Sequence, residues 1–121
     1  MRKIIFLVML FVAAIFISAG IGRSQDGAPD RIIYLSASRF AFTPDHITVK
    51  QGQRIRLIAT STDVAHGIYI SGYRASTEIL PGQQNILEFT ADKSGDFEFR
   101  CTVYCGSGHA DMKGTLTVEA E

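Results

Sequence analysis

CTVYCGSGHADM, residues 101–112, is the stretch from which the rest of the chain can be read. It holds both cysteines, one of three histidines and one of three methionines. Soft sulfur and borderline imidazole donors gathered into so short a segment suit a thiophilic copper ion. Cys105 follows Cys101 by four residues, His109 follows by four more and Met112 by three, so one loop can turn every donor into one small volume. Gly106 and Gly108 free the backbone for that turn.

A further imidazole has to come from elsewhere. His66 closes the segment 61–66, STDVAH, 35 residues before Cys101. A β-sandwich brings such a strand end beside a later loop. Two thiolates, two imidazoles and a thioether exceed the two histidines, one cysteine and weak axial methionine of a single blue-copper ion. Two metal ions account for all five.

The pairing of S-x-D-V-x-H with C-x-x-x-C-G-S-G-H-x-x-M resembles the binuclear copper A (CuA) domain of subunit II of haem-copper cytochrome c oxidases, a centre that nitrous oxide reductase also carries. The resemblance runs from about residue 31 to about residue 119. It implies that the sulfurs of Cys101 and Cys105 bridge two copper ions, that His66 and His109 each bind one of them, and that Met112 and the backbone carbonyl of Val103 complete one each. Many members have glutamate where this chain has Val103, a change that a backbone ligand tolerates. The fold implied is all-β, a cupredoxin-like Greek-key β-sandwich whose metal loop joins its last two strands.

The residues around the loop support a sandwich independently. Segments 32–35, 47–49, 54–59, 67–70, 86–89, 97–100 and 115–118 are β-branched or aromatic runs, several of them alternating apolar with polar. TPD at 43–45, KQG at 50–52, PG at 81–82 and KSG at 93–95 supply turns between them. Seven or eight strands in about 90 residues indicate a β-sandwich. Strands on both sides of the loop would anchor it, and ligands held stiffly move little when a metal changes oxidation state.

The first thirty residues are of another kind. Arg2 and Lys3 precede an uncharged apolar run over residues 4–22, long enough to cross a bilayer as a helix. The basic pair would stay in the cytoplasm, placing the rest on the periplasmic or extracellular side of the cell membrane. A cleaved signal peptide is the competing reading, with small residues at 18–20 for a peptidase. Residues 23–30, RSQDGAPD, read as a linker, leaving residues 31–121 as a single domain. Without Arg2 and Lys3, ten basic residues face twelve acidic ones, a net charge of −2, and nothing suggests nucleic-acid binding.

Simpler readings compete residue by residue. Cys101 and Cys105 could form a disulfide in an exported protein, which would leave His66, His109 and Met112 unexplained. A structural zinc site accepts two cysteines and two histidines but has no use for Met112. Asp63 could orient the His66 ring or cap a turn. His46 reads as a surface residue, Asp111 as solvent-facing, and Phe40 and Phe42 as core. The route by which electrons would enter stays open among Phe40, Phe42, Tyr69, Tyr73 and Tyr104, because the chain has no tryptophan.

The function implied by the resemblance is electron relay. The chain would be the copper A subunit of a terminal oxidase, anchored by one helix, taking electrons from cytochrome c or a small cupredoxin. It would pass them to haem in the catalytic subunit I, and it would reduce no oxygen itself. A stand-alone exported carrier or copper-handling protein with the same centre is the alternative.

Overall fold

The computed structural model describes residues 27–121. The anchor or signal segment expected at residues 1–22 lies outside them. Among the described residues, no helix is long and apolar enough to cross a membrane.

Among the described residues, nine strands form two sheets: β1 (Arg31–Ser38), β2 (Ala41–Thr43), β3 (His46–Lys50), β4 (Arg54–Ser61), β5 (His66–Ile70), β6 (Ala75–Ile79), β7 (Asn85–Thr90), β8 (Gly95–Arg100) and β9 (Lys113–Glu119). One sheet has the order β2-β1-β4-β7 and the other β3-β9-β8-β5-β6. β1 pairs with β4 in parallel, as does β3 with β9, so the chain crosses between sheets instead of meandering along one. This is the expected all-β cupredoxin-like sandwich.

Alternation decides which face each strand buries. In β1 Ile33, Leu35 and Ala37 point inward, and in β4 Ile55, Leu57 and Ala59 do the same. The second sheet answers with Val49, Ile68, Ile70, Phe99, Leu116 and Val118. Phe42 meets Phe99 edge to face, with ring centroids 5.3 Å apart. Burying each such large side chain stabilises the fold by roughly 1.5–3 kcal/mol.

Each of the seven expected runs falls within an observed strand, and two strands are additional. β2 has only three residues, too few to show a period. β6, ASTEI, buries only its end residues Ala75 and Ile79. Its Ser, Thr and Glu suit the edge of the five-stranded sheet, where polar side chains discourage further pairing.

Strand direction sets the two ends of the molecule. β1, β4 and β8 all run toward one end, where residues 39–40, 62–65 and 101–112 connect them onward. The opposite end carries residues 51–53, 71–74 and 91–94. Eight residues of β1 separate them by roughly 25 Å.

Candidate metal centre

β8 and β9 are adjacent and antiparallel, paired from Gly95 with Val118 to Arg100 with Lys113. Residues 101–112 therefore form a loop with both ends fixed on one sheet. The Cys101 amide donates to the Met112 carbonyl at 3.1 Å, closing the loop at its base. A single 3-10 turn, His109–Asp111, tightens its far side, and the His109 amide reaches back to the Gly106 carbonyl at 3.1 Å. Gly106 has φ +140°, a backbone conformation open to glycine. Gly108 lies at φ −93° and serves a different need, close approach by a neighbouring ring.

The loop brings its donors together with His66, the first residue of β5. Cys101 and Cys105 are buried free thiols with Sγ atoms 3.9 Å apart, far beyond the roughly 2.05 Å of a disulfide. His66 is fully buried, and its Nδ1 lies 3.9 Å from Cys101 Sγ. His109 Nδ1 lies 3.7 Å and Met112 Sδ 3.8 Å from Cys105 Sγ. Cys101 Sγ donates to the Val103 carbonyl at 3.2 Å. The potential ligand atoms of His66, Cys101 and Cys105 all fall within 4.8 Å of one another. All six residues singled out in the sequence thus meet in one place, each imidazole beside a different sulfur.

The surroundings hold these side chains in position. Asp63 both orients the ring and caps the turn: one carboxylate oxygen sits 2.8 Å from His66 Nε2 and accepts the Val64 amide at 2.6 Å, and the other accepts the Arg39 amide at 2.7 Å. The Arg39 amide, the His66 ring and the Val64 amide hold its pKa far below the usual carboxylate range, desolvation opposing them weakly. With Nε2 engaged by Asp63, Nδ1 is the nitrogen that faces the sulfurs. Burial, and then the neighbouring Cys101 thiol, push the Cys105 thiol above its ordinary value. A metal would therefore displace protons when it binds.

Other candidates separate cleanly. His46 is exposed on β3, its Nε2 3.2 Å from the Thr117 hydroxyl. Asp111 is exposed. Phe42 is core, whereas Phe40 is 37% exposed and lies against the loop, where a Cβ on Gly108 would come within 2.5 Å of its ring. Tyr104 is 76% exposed, its ring centroid 5.6 Å from that of His109. Tyr73 belongs to the opposite end of the molecule. Arg39 carries a contact that the sequence did not signal: its Nε donates to the Cys105 carbonyl at 3.0 Å across 66 residues.

The donor set fits copper. Two adjacent cysteine sulfurs, two imidazoles and a thioether are soft to borderline ligands, and among the described residues no carboxylate joins the group formed by His66, Cys101 and Cys105. Metal–thiolate bonds of about 2.3 Å allow sulfurs this close to share an ion.

A β-sandwich with this loop between its last two strands defines a cupredoxin, and the chain matches the cupredoxin-like domain family over residues 5–118 and belongs to it. It is 36% identical over 95 residues to cytochrome c oxidase subunit 2 of Thermus thermophilus, covering 78% of this chain and 70% of that protein, and is thereby a member of the subunit 2 family. A second subunit 2 of Thermus thermophilus is also 36% identical over 95 residues, and the match covers 56% of its length. The periplasmic domain of subunit II of cytochrome oxidase from Bradyrhizobium japonicum has the same fold, with TM-score 0.72 at 21% identity over 78% of this chain and 88% of that one.

Proposed function

We propose that this chain is the electron-entry subunit of a haem-copper oxidase, holding two copper ions between its cysteine loop and His66. The observation that carries the reading is the two-ended donor set: His66 beside Cys101, and His109 with Met112 beside Cys105, around sulfurs 3.9 Å apart. One copper ion needs only part of that set. Cys101 and Cys105 would hold both ions, His66 and His109 would each hold one, and Met112 and the Val103 carbonyl would complete the donor set. When bound, copper would supply a one-electron couple to these donors.

The protein's own share is rigidity and exclusion of water. His66, Cys101, Cys105 and Met112 are buried, and the loop that carries three of them is hydrogen-bonded at base and tip. Donors fixed in this way need little rearrangement when an electron arrives or leaves. Tyr104 and Phe40 give this end an exposed aromatic surface, which favours a donor that docks through apolar contact. Cytochrome c or a small cupredoxin would meet it there, and haem in subunit I would receive the electron. Residues 4–22 would anchor the subunit in the cell membrane with the domain outside.

Electron paramagnetic resonance with a copper count, on the full chain loaded under reducing conditions in detergent, tests the centre. The expected result is a many-line hyperfine pattern from one electron shared by two coppers, at two coppers per chain. A four-line pattern at one copper per chain would replace the binuclear reading with a mononuclear cupredoxin. Co-purification with a haem-bearing subunit is the expected companion result, and a haem-free monomer would favour the stand-alone carrier.

A further inference from the structure

The connection between β1 and β2 touches the centre from a direction that neither motif covers. Arg39 uses both its backbone and its side chain. Its amide donates to Asp63, which holds His66, and its Nε donates to the carbonyl of Cys105. Phe40 follows with its ring over the loop, so close that a Cβ on Gly106 or Gly108 would come within 2.9 or 2.5 Å of it. Two adjacent residues therefore contact the loop that orients His66 and the loop that carries Cys105, at sequence separations of 24 and 66.

We propose that Arg39 and Phe40 form a strap that fixes Cys105 relative to His66, Arg39 acting as a positioning residue through the Cys105 carbonyl. The inference rests on the copper reading above. The Cys105 peptide plane adjoins Gly106, which sits at φ +140° and has no Cβ to confine its backbone. A donor on the Cys105 carbonyl sets the orientation of that plane and hence the direction of Cys105 Sγ. The bond is 3.0 Å long and lies in partly buried surroundings, where water competes less for the carbonyl. The Phe40 ring blocks the loop from lifting away on the glycine side. The strap thereby holds the half of the centre at Cys105, His109 and Met112 against the half at His66 and Cys101.

Two substitutions isolate the bond from the charge. Glutamine carries an amide nitrogen the same number of bonds from Cα as arginine Nε, and methionine places a methyl carbon there. Arg39→Met deletes the donor, Arg39→Gln restores it, and both remove the positive charge. Amide hydrogen exchange across residues 101–112 of the reduced, metal-free full chain should be about fivefold faster in Arg39→Met, the factor that one net hydrogen bond supplies. Arg39→Gln should stay within about twofold of the parent on the same scale. Loaded with copper, Arg39→Met should lose metal to a chelator about fivefold faster and show altered hyperfine splitting, with Arg39→Gln again close to the parent. The reduction potential should shift alike in both, because both lose the charge. Equal behaviour of Met and Gln in exchange and copper loss, or parent-like behaviour of Met, would overturn the strap. Should Arg39→Met fail to fold, Phe40→Leu serves instead: faster exchange at residues 106–108 supports the strap, and unchanged exchange refutes it. A parent with one copper would sink the binuclear reading alone, since the metal-free exchange comparison still decides the strap.

Discussion

The two ends of the sandwich are built from the same material, short connections between strands, yet they are held together in opposite ways. At the end away from the cysteines, polar atoms meet conventional partners. The Tyr73 hydroxyl donates to the Lys93 carbonyl, Lys93 Nζ donates to the Gly72 carbonyl at 2.8 Å, and the Tyr73 ring packs on Phe97 and Phe89 at 4.9 and 5.3 Å. The Gly52 amide donates to the Ala91 carbonyl at 2.8 Å and the Ala91 amide to the Gln53 carbonyl at 2.9 Å, and Asp30 and Arg54 bond each other twice at 2.8 Å. At the cysteine end, the two sulfurs meet each other, the imidazole Nδ1 atoms and the Met112 thioether at 3.7–3.9 Å, distances at which such weak donors and acceptors hold little. One end is complete as it stands. The other is shaped by ordinary hydrogen bonds on its outside and left for a metal within.

The sharpest way to break that contrast is to remove one sulfur. Cys101→Ser deletes a donor that the two proposed ions would share and leaves Cys105, His109, Met112 and His66, a set that suits one copper ion. Copper content should fall from two per chain to at most one, and the many-line spectrum should vanish. A variant that kept the parent's spectrum and copper count would refute a bridged pair. The fold should survive, because serine is smaller than cysteine and the far end contributes nothing to the site.

Glycine substitutions at the two ends put the same physical insult in different settings. A Cβ on Gly72, where φ is +83°, would lie 2.4 Å from the Phe97 ring, which is packed against Tyr73. Gly72→Ala should destabilise the fold by about 3 kcal/mol, combining overpacking with left-handed strain, without altering the copper spectrum. A Cβ on Gly108 would lie 2.5 Å from the Phe40 ring, but φ there is −93° and Phe40 is partly exposed and can swing outward. Gly108→Ala should lower stability by only about 1 kcal/mol while disturbing the copper signal. Thermal unfolding and spectroscopy on both variants read the contrast directly, and it fails if Gly72→Ala changes the spectrum or Gly108→Ala leaves it untouched.

The same contrast governs what was legible in the sequence. Four of the six proposed donors lie in one loop, so their spacing implied that they converge, whereas Val103 entered only through the resemblance to the copper A family. His66 was legible through the S-x-D-V-x that precedes it, and Asp63 in that segment proved to do both tasks weighed for it. Arg39 was not legible, because a side chain reaching a carbonyl 66 residues away leaves no trace in spacing or period. Nor could sequence separate Phe40 from Phe42. Phe42 lies within β2 and turns inward to Phe99, whereas Phe40 precedes the strand, in the turn after β1, and lies against the loop. β6 escaped for a different reason: its inward positions carry Ala75, Thr77 and Ile79, too weakly apolar as a set to stand out from Ser76 and Glu78.

Among the donors themselves, the smallest effect should come from Met112. It is buried to 1% exposure, so its side chain is a packing element of the cysteine end as well as a ligand candidate. Leucine has nearly the same volume, and exchanges of this kind usually cost less than about 1.5 kcal/mol. The thioether is also the weakest donor of the set, lying beside Cys105, whose thiolate and the neighbouring His109 imidazole would hold copper without it. Met112→Leu should therefore keep two coppers and the shared-electron spectrum, and should shift the reduction potential measured by voltammetry. Complete loss of copper would rank the thioether above the imidazoles and reverse the order of donors derived from their chemistry.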